Sequence, residues 1–307
     1  MAMDKSSRRR TAPSGPSLFD ALEDVEVSTR SGETDYVTDG DGLPAERIKP
    51  HTQQKYEIVR FYVEICGSVR RRWVEEYGCA TTYIDLYSGP GRAYERATGN
   101  FCDTSPLIAL ASSKVKTGDP GFTHMFLADA DGALVDAAAE RLKRQGANVM
   151  REHGRAEQTV DKLIPALPRG LHFALLDPYS LNAIPFEVIR KLADVEHLDM
   201  LIHFSELDLR LNMKFNVEGK QDHLDAVVPN WRKVYDDGRS KEWNRAAILK
   251  SWCDSIGALG KQVRGAKGVT ARGNVMYHLV LFSGHRLAAQ FWSEMERRWP
   301  QQQPLGL

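Results

Sequence analysis

The feature that most limits the possible folds is an alternation of short apolar runs with helical spacing. Residues 82–87, 124–128, 148–150, 173–176 and 200–204 read as strands, separated by stretches such as 133–142, 160–163 and 186–192 whose apolar positions recur at helical intervals. A strand–helix alternation of this kind predicts a parallel sheet covered by helices. A further apolar strand over 275–282 and a helix over 286–299 follow a long helical stretch, as a terminal hairpin on such a sheet would. Ahead of the first strand, Lys49-Pro50-His51-Thr52 opens a helix in which Ile58, Phe61, Tyr62, Ile65, Val69 and Trp73 keep helical spacing to about Tyr77. Its opposite face carries Arg60, Glu64, Arg70, Arg71 and Arg72, either a solvated surface or a phosphate-contacting patch.

At 307 residues the chain is long enough for one large α/β domain. Residues 1–48 are rich in Ser, Thr, Gly, Pro and acids and lack periodic apolar positions, so they read as a disordered tail. Residues 49–307 read as the folded domain. The formal net charge is zero, so global electrostatics points to neither nucleic acid nor membrane. Cys66, Cys79, Cys102 and Cys253 show neither a metal nor a disulfide pattern, and isolated buried thiols are expected. No segment is long and apolar enough to span a bilayer, and a soluble, cytoplasmic protein is expected.

Ligands of parallel sheets collect at the carboxyl ends of the strands, near the point where strand order reverses. There the first strand runs into Asp85-Leu86-Tyr87-Ser88-Gly89-Pro90-Gly91. Gly89 and Gly91 permit left-handed backbone and present no Cβ to a ligand, while Pro90 stiffens the turn. Asp85 is expected to accept a hydrogen bond from a ligand amino group, with Tyr87 and Ser88 beside it. The next strand ends in Ala128-Asp129-Ala130-Asp131, which puts Asp129 where a nucleoside ribose offers two hydroxyls and Asp131 at the cap of the following helix. Gly154-Arg155-Ala156, after the third strand, stands where an adenine ring would lie.

The fourth strand ends in Asp177-Pro178-Tyr179. Amino-methyltransferases use an acid or amide, a proline and an aromatic in this order, so Asp177 is expected to accept from a target amine and Tyr179 to stack on a flat substrate. These strand-end motifs predict a Rossmann-like class I methyltransferase fold with helical insertions, and S-adenosylmethionine as its cofactor. Between the glycine turn and the next helix, with Ser105 as its expected N-cap and Pro106 at its first position, lies an insertion over 92–104 that would either fold over the cofactor or fill its pocket.

From Arg232 to Arg272, ten basic residues stand against four acids, within a helical insertion placed at about 229–268. Arg232, Lys233, Lys241, Arg245 and Lys250 alternate there with Trp231, Tyr235, Trp243 and Trp252, a mixture that suits phosphate contact and base stacking as well as it suits a buried helical insert. His153 and His203 are further polar residues near strand ends. No metal-ligand pattern, phosphate loop or nucleophile elbow is found.

In these blocks the chain resembles the three-Cys-motif partner proteins, the TcmP family. The resemblance rests on Thr52 and Lys55, on Tyr83-Ile84-Asp85 with Ser88-Gly89-Pro90-Gly91, on Ser105-Pro106-Leu107-Ile108-Ala109-Leu110, on Leu176-Asp177-Pro178-Tyr179, and on Tyr277-His278-Leu279-Val280-Leu281-Phe282-Ser283. It covers about 50–299; Tyr87 and Tyr179 stand where phenylalanine is common in the family. The resemblance implies a methyltransferase-like fold and a separate partner bearing a three-cysteine motif. The expected function is methylation of an amine, foremost that of a nucleic-acid base. The alternative is a non-catalytic subunit that binds nucleic acid or that partner in DNA repair or processing.

Overall fold

A computed structural model of the chain describes residues 35–115 and 117–298. In chain order the elements are β1 (Tyr36–Thr38), β2 (Pro44–Ile48), α1 (Thr52–Ile65), α2 (Gly67–Glu75), β3 (Ala80–Asp85), β4 (Arg92–Glu95), β5 (Asn100–Asp103), α3 (Ser105–Ser112), β6 (His124–Asp129), α4 (Gly132–Arg144), β7 (Val149–His153), α5 (Ala156–Ala166), β8 (Gly170–Leu176), α6 (Phe186–Ala193), β9 (Leu198–Ser205), α7 (Glu206–Val217), α8 (His223–Val227), α9 (Lys241–Gly257), β10 (Gln262–Ala271), β11 (Asn274–Ser283) and α10 (Leu287–Arg298).

The main sheet has seven strands in the order β10-β11-β9-β8-β3-β6-β7. β11 runs antiparallel to both neighbours, whereas β9, β8, β3, β6 and β7 are mutually parallel. Strand order reverses at β3, between β8 and β6, so the loops after these three strands meet at one end of the sheet. Alternate side chains feed two cores. Ile84, Ala174 and Ile202 pack with Val160, Ile189 and Trp252 on one face. Tyr83, Leu175 and Leu201 pack with Val59, Leu110, Val135 and Trp292 on the other. A parallel strand covered on both faces must be apolar throughout, which is why these strands were legible as unbroken runs.

Four expectations are corrected. The first helix is two, α1 and α2, with the break at Cys66 and Gly67. An added Cβ at Gly67 would fall 2.5 Å from Asp119 Oδ2, and Arg70 occupies the angle, donating to Val63 O and to Asp119 Oδ2 (2.6 Å each). Arg70 is therefore internal; Arg60, Arg71 and Arg72 pair with glutamates on their own helices, which favours a solvated face over a phosphate patch.

Residues 36–48, read as tail, are folded. β1 and β2 join β4 and β5, which lie within the 92–104 insertion, in a four-stranded sheet ordered β1-β2-β4-β5. Three-residue and five-residue strands are too short to show a period, and polar contacts hold them: Arg92 donates to Asp39 (2.9 Å) and Asp103 (2.8 Å), and Ile48, Tyr56 and Ala93 form a small core beneath. Residues 1–34 lie outside the described ones. The insertion is thus a docked hairpin, and from Tyr36 onward the described chain forms one compact unit.

The helical insertion ends earlier than 268, because β10 begins at Gln262 and pairs along β11. Finally, Ser105 is the first residue of α3 and Thr104 its N-cap; the Ser105 hydroxyl turns instead to Asp85 (2.8 Å). Among the described residues no helix is long and apolar enough to cross a membrane, and the four cysteines form no disulfide and are half-buried where buried thiols are expected.

Candidate functional site

Asp129, at the end of β6, draws three of the expected segments together. Its carboxylate accepts from the backbone N–H of Gly89 and of Asp131 (2.9 Å each), and its carbonyl accepts from the Gly154 N–H (3.0 Å). The glycine turn, the acid and the loop after β7 therefore meet at one residue. Asp131 caps α4, accepting from Ala133 N (2.9 Å), as expected. The Ala130 N–H also bears on this carboxylate, which keeps part of its acceptor capacity, and the residue is only partly buried.

Within the turn, Gly89 adopts φ +54, and an added Cβ there would meet only the Glu46 carboxylate, at 3.8 Å. Space above Gly89 is thus open, as a ligand cradle requires. Gly91 serves otherwise: at φ +80 its missing Cβ would fall 2.5 Å from Leu107 Cδ1, so packing against α3 and not ligand approach demands the glycine. Ser88, Pro90 and Gly91 are buried. The Pro90 carbonyl is held by Arg141 (2.6 Å).

Three other expected contacts are reassigned. Asp85 is fully buried, and its carboxylate is occupied by Tyr83 Oη (2.9 Å), Ser105 Oγ (2.8 Å) and Tyr87 N (3.1 Å), so it braces the turn from below and cannot greet a ligand amino group. Tyr87 points away from the turn, into the first core, with its hydroxyl on Ala183 O (2.8 Å). Ala156 is buried in that same core, whereas the Arg155 side chain is exposed beside Glu157. Of the adenine loop, only Gly154 and Arg155 keep surface.

Burial lifts the Asp85 carboxyl from 3.8 to about 7, although its three donors pull the other way. Between those two values the folded state holds a proton that the unfolded chain has released, so stability should fall as pH rises from about 4 to 7. Asp85→Asn, which fixes a neutral side chain, should remove most of that slope, at most about 1.4 kcal/mol per pH unit. Urea midpoints measured across the window provide the check; parallel curves for the two proteins would refute it.

On the other side of β3, the Asp177 carboxylate forms an ion pair with Lys55 from the first turn of α1, and both side chains are largely buried. Lys55 was visible only as part of the family resemblance. His203 Nδ1, from β9, lies 3.5 Å from Asp177 Oδ1. Asp177 is thus already engaged by the protein, which departs from its expected place as acceptor of the target amine. Tyr179 is 91% exposed and free to meet a flat ligand. Next to it a cavity of about 200 Å³ opens, lined by Leu181, Asn182, Asp208, Asn212, Gln221 and His223.

No protein-family model and no curated protein matches this chain. Among solved structures it is similar to an O-methyltransferase from Bacillus cereus in complex with SAH, at 13% identity and TM-score 0.43 over 88% of this chain and 91% of that one. It is also similar to the O-methyltransferase TomG from Streptomyces achromogenes in complex with SAM (10% identity, TM-score 0.40, 76% and 80% covered). A third is protein LPL1258 from Legionella pneumophila (8% identity, TM-score 0.44, 79% and 90% covered). The fold is that of the class I methyltransferases. It is the strand order, with one antiparallel strand next to the edge, that carries this statement.

The expected basic site is only partly kept together. Trp231 and Trp252 are core residues, Trp231 donating to Asp225 (3.0 Å). Arg245 is drawn into an ion pair with Glu206 (2.6 Å), Arg232 pairs with Asp225 and Lys250 with Asp254. Lys261 is buried against the carbonyls of Val195 and Leu198 (2.9 and 3.0 Å). Lys233, Tyr235, Trp243 and Lys250 nonetheless line one open cavity of about 580 Å³, in which Asp236 and Asp254 offset the two lysines, and Lys241 stays exposed.

Proposed function

We propose that this chain is an S-adenosylmethionine-dependent methyltransferase acting on an amine, foremost that of a nucleic-acid base. The observation that carries the reading is Asp129: a strand-end carboxylate, fixed by backbone N–H groups beside a left-handed glycine, with acceptor capacity left for a ribose hydroxyl. The residues fit the nucleoside half of the cofactor, with Asp129 at the ribose, open space above Gly89, and Gly154 and Arg155 beside the base. When bound, the cofactor would supply an electrophilic methyl group on a sulfonium. The protein's share is orientation: the turn is rigid, braced by Asp85 below and Arg141 behind, and a reacting pair held in line gains much of its rate from position alone. Tyr179, fully available at the mouth, would stack on a planar acceptor.

Calorimetric titration of the full chain with S-adenosylmethionine should give saturable binding with one site. Absence of heat with folded protein, alone and with its partner, would sink the proposal. The resemblance to the TcmP family adds a three-Cys-motif protein as that partner. The alternative, a binding subunit in DNA repair or processing, draws on the exposed Lys233, Lys241 and Trp243; retention of biological activity in Asp129→Ala would favour it.

A further inference from the structure

His203 faces Asp177 from the end of β9. Its Nδ1 lies 3.2 Å from the Pro178 carbonyl oxygen and 3.5 Å from Asp177 Oδ1. Both neighbours are acceptors, so Nδ1 must carry the hydrogen of the neutral ring. Nε2 is then a bare lone pair. That atom is buried and has no hydrogen-bond partner, although the side chain as a whole is 12% exposed. The Tyr277 hydroxyl, from β11, is likewise buried without a partner, and its ring packs edge-on against His203 with centroids 4.3 Å apart. Other buried polar atoms among the described residues also lack partners, but these two meet on neighbouring strands beside the strand end where ligands collect, and that pairing marks a place for a ligand's polar atoms.

The groups facing His203 come from four elements. Asp177 follows β8, Lys55 lies on α1, Asp208 on α7, and Tyr277 on β11. Burial, reinforced by Lys55, holds the imidazole below its ordinary pKa in spite of Asp177 and Asp208, so the ring is neutral at physiological pH.

We propose that His203 Nε2 is the proton acceptor of the methyl-transfer site, that Asp177 orients it, and that Tyr277 contacts the same substrate edge. The inference rests on the methyltransferase reading above and names the residue that receives the proton. The substrate nitrogen's lone pair forms the new N–CH3 bond while the S–CH3 bond of the sulfonium breaks, its electron pair remaining on sulfur. The proton the methylated nitrogen must shed goes to Nε2, and the resulting imidazolium keeps its Nδ1–H on the Pro178 carbonyl while the Asp177 carboxylate, 3.5 Å from Nδ1, faces its positive charge. Asp177 is then a positioning residue, its charge balanced by Lys55. The substrate class is an N–H donor with a neighbouring polar atom, the edge that an amino-substituted heterocycle offers.

Two readouts on the full-length chain test this. In ¹⁵N-histidine NMR, with the His203 signals identified by their loss in His203→Gln, Nδ1 should be protonated and Nε2 bare at neutral pH; a proton on Nε2 overturns the proposal. This arm needs no substrate, so it decides even where no acceptor is labelled. In the second, labelled S-adenosylmethionine is mixed with single-stranded DNA or RNA oligonucleotides of mixed sequence. His203→Gln should slow transfer by about 100-fold or more and abolish the acid limb of the pH–rate profile. Its calorimetric affinity for S-adenosylmethionine should stay within about threefold of the parent's, because His203 lies outside the Asp129 site. Equal transfer rates overturn the role of His203, whereas failure of the parent protein to bind S-adenosylmethionine overturns the cofactor reading and leaves the tautomer result standing.

Discussion

Arg141→Met should destabilise the protein by about 2–3 kcal/mol, chiefly by leaving the Pro90, Pro44 and Leu43 carbonyls without their donor, since Asp41 is itself exposed and its carboxylate can turn to water. The side chain is 4% exposed and stands on α4 between the glycine turn and the β1–β2 loop. Its guanidinium donates to both Asp41 oxygens (2.7 and 2.8 Å) and to the carbonyls of Leu43 (3.3 Å), Pro44 (2.8 Å) and Pro90 (2.6 Å). Methionine fills much of the volume but supplies no donor, so buried carbonyls lose their partners and each such loss is costly. The Arg141 guanidinium also holds the Asp41 carboxyl down from 3.8 to about 2. That contribution is present above the ordinary carboxylate value and lost as pH falls toward about 2, so the variant should lack this acid limb. Urea unfolding of the two proteins measures the difference; a loss below about 1 kcal/mol would show that the guanidinium's bonds are replaceable by water.

Asp129→Ala should weaken S-adenosylmethionine binding at least tenfold, about 1.4 kcal/mol, with the upper range near 3 kcal/mol, because a ribose hydroxyl loses a charged acceptor. The same change releases the Gly89 and Asp131 N–H groups, so the turn loosens as well. Asp129→Asn keeps one accepting oxygen and should fall between the two. Calorimetry across the three proteins gives the ranking. Equal affinities would remove Asp129 from the cofactor site and take the main support from the proposed function.

The two residues show different degrees of legibility. Asp129 could be found from the sequence, because a parallel strand ends where its apolar run ends and the next acid must lie at that edge of the sheet. Asp131 was legible for the same local reason, as a helix cap two residues before Ala133. Arg141 could not be found. It lies in the last turn of an ordinary amphipathic helix, where basic residues are common, and its partners, Asp41, Leu43, Pro44 and Pro90, are some fifty to one hundred residues away. Nothing in its neighbourhood distinguishes it from Arg144, which pairs on its own helix with Glu140.

The same contrast runs through the strand-end motifs. Asp85 and Gly91 were correctly marked as special, but their purposes came out inverted. Both stand where a ligand would, yet the aspartate is closed off by Tyr83 and Ser105 and the glycine by Leu107. Composition misled in the Arg232–Arg272 stretch for a related reason. Trp231 and Trp252 alternate with cations along the chain, while α9 and its preceding turn direct them into the core and leave the charges to pair on the surface.

What the sequence determined by itself was periodic and local: five parallel strands, four of them covered on both faces, the helices between them, the left-handed glycine turn and the acid that follows the second strand. Those signals arise from residues within a few positions of one another, where backbone geometry and burial act directly. Only the tertiary structure decided which polar atoms are satisfied. Asp177 meets Lys55 across 122 residues, and His203 and Tyr277 come face to face from strands joined by a long excursion, leaving two buried atoms without partners. Hydrogen-bond satisfaction is a property of contacts distant in the chain, so the difference between an aspartate that serves a ligand and one that serves the fold cannot be written in the residues around it.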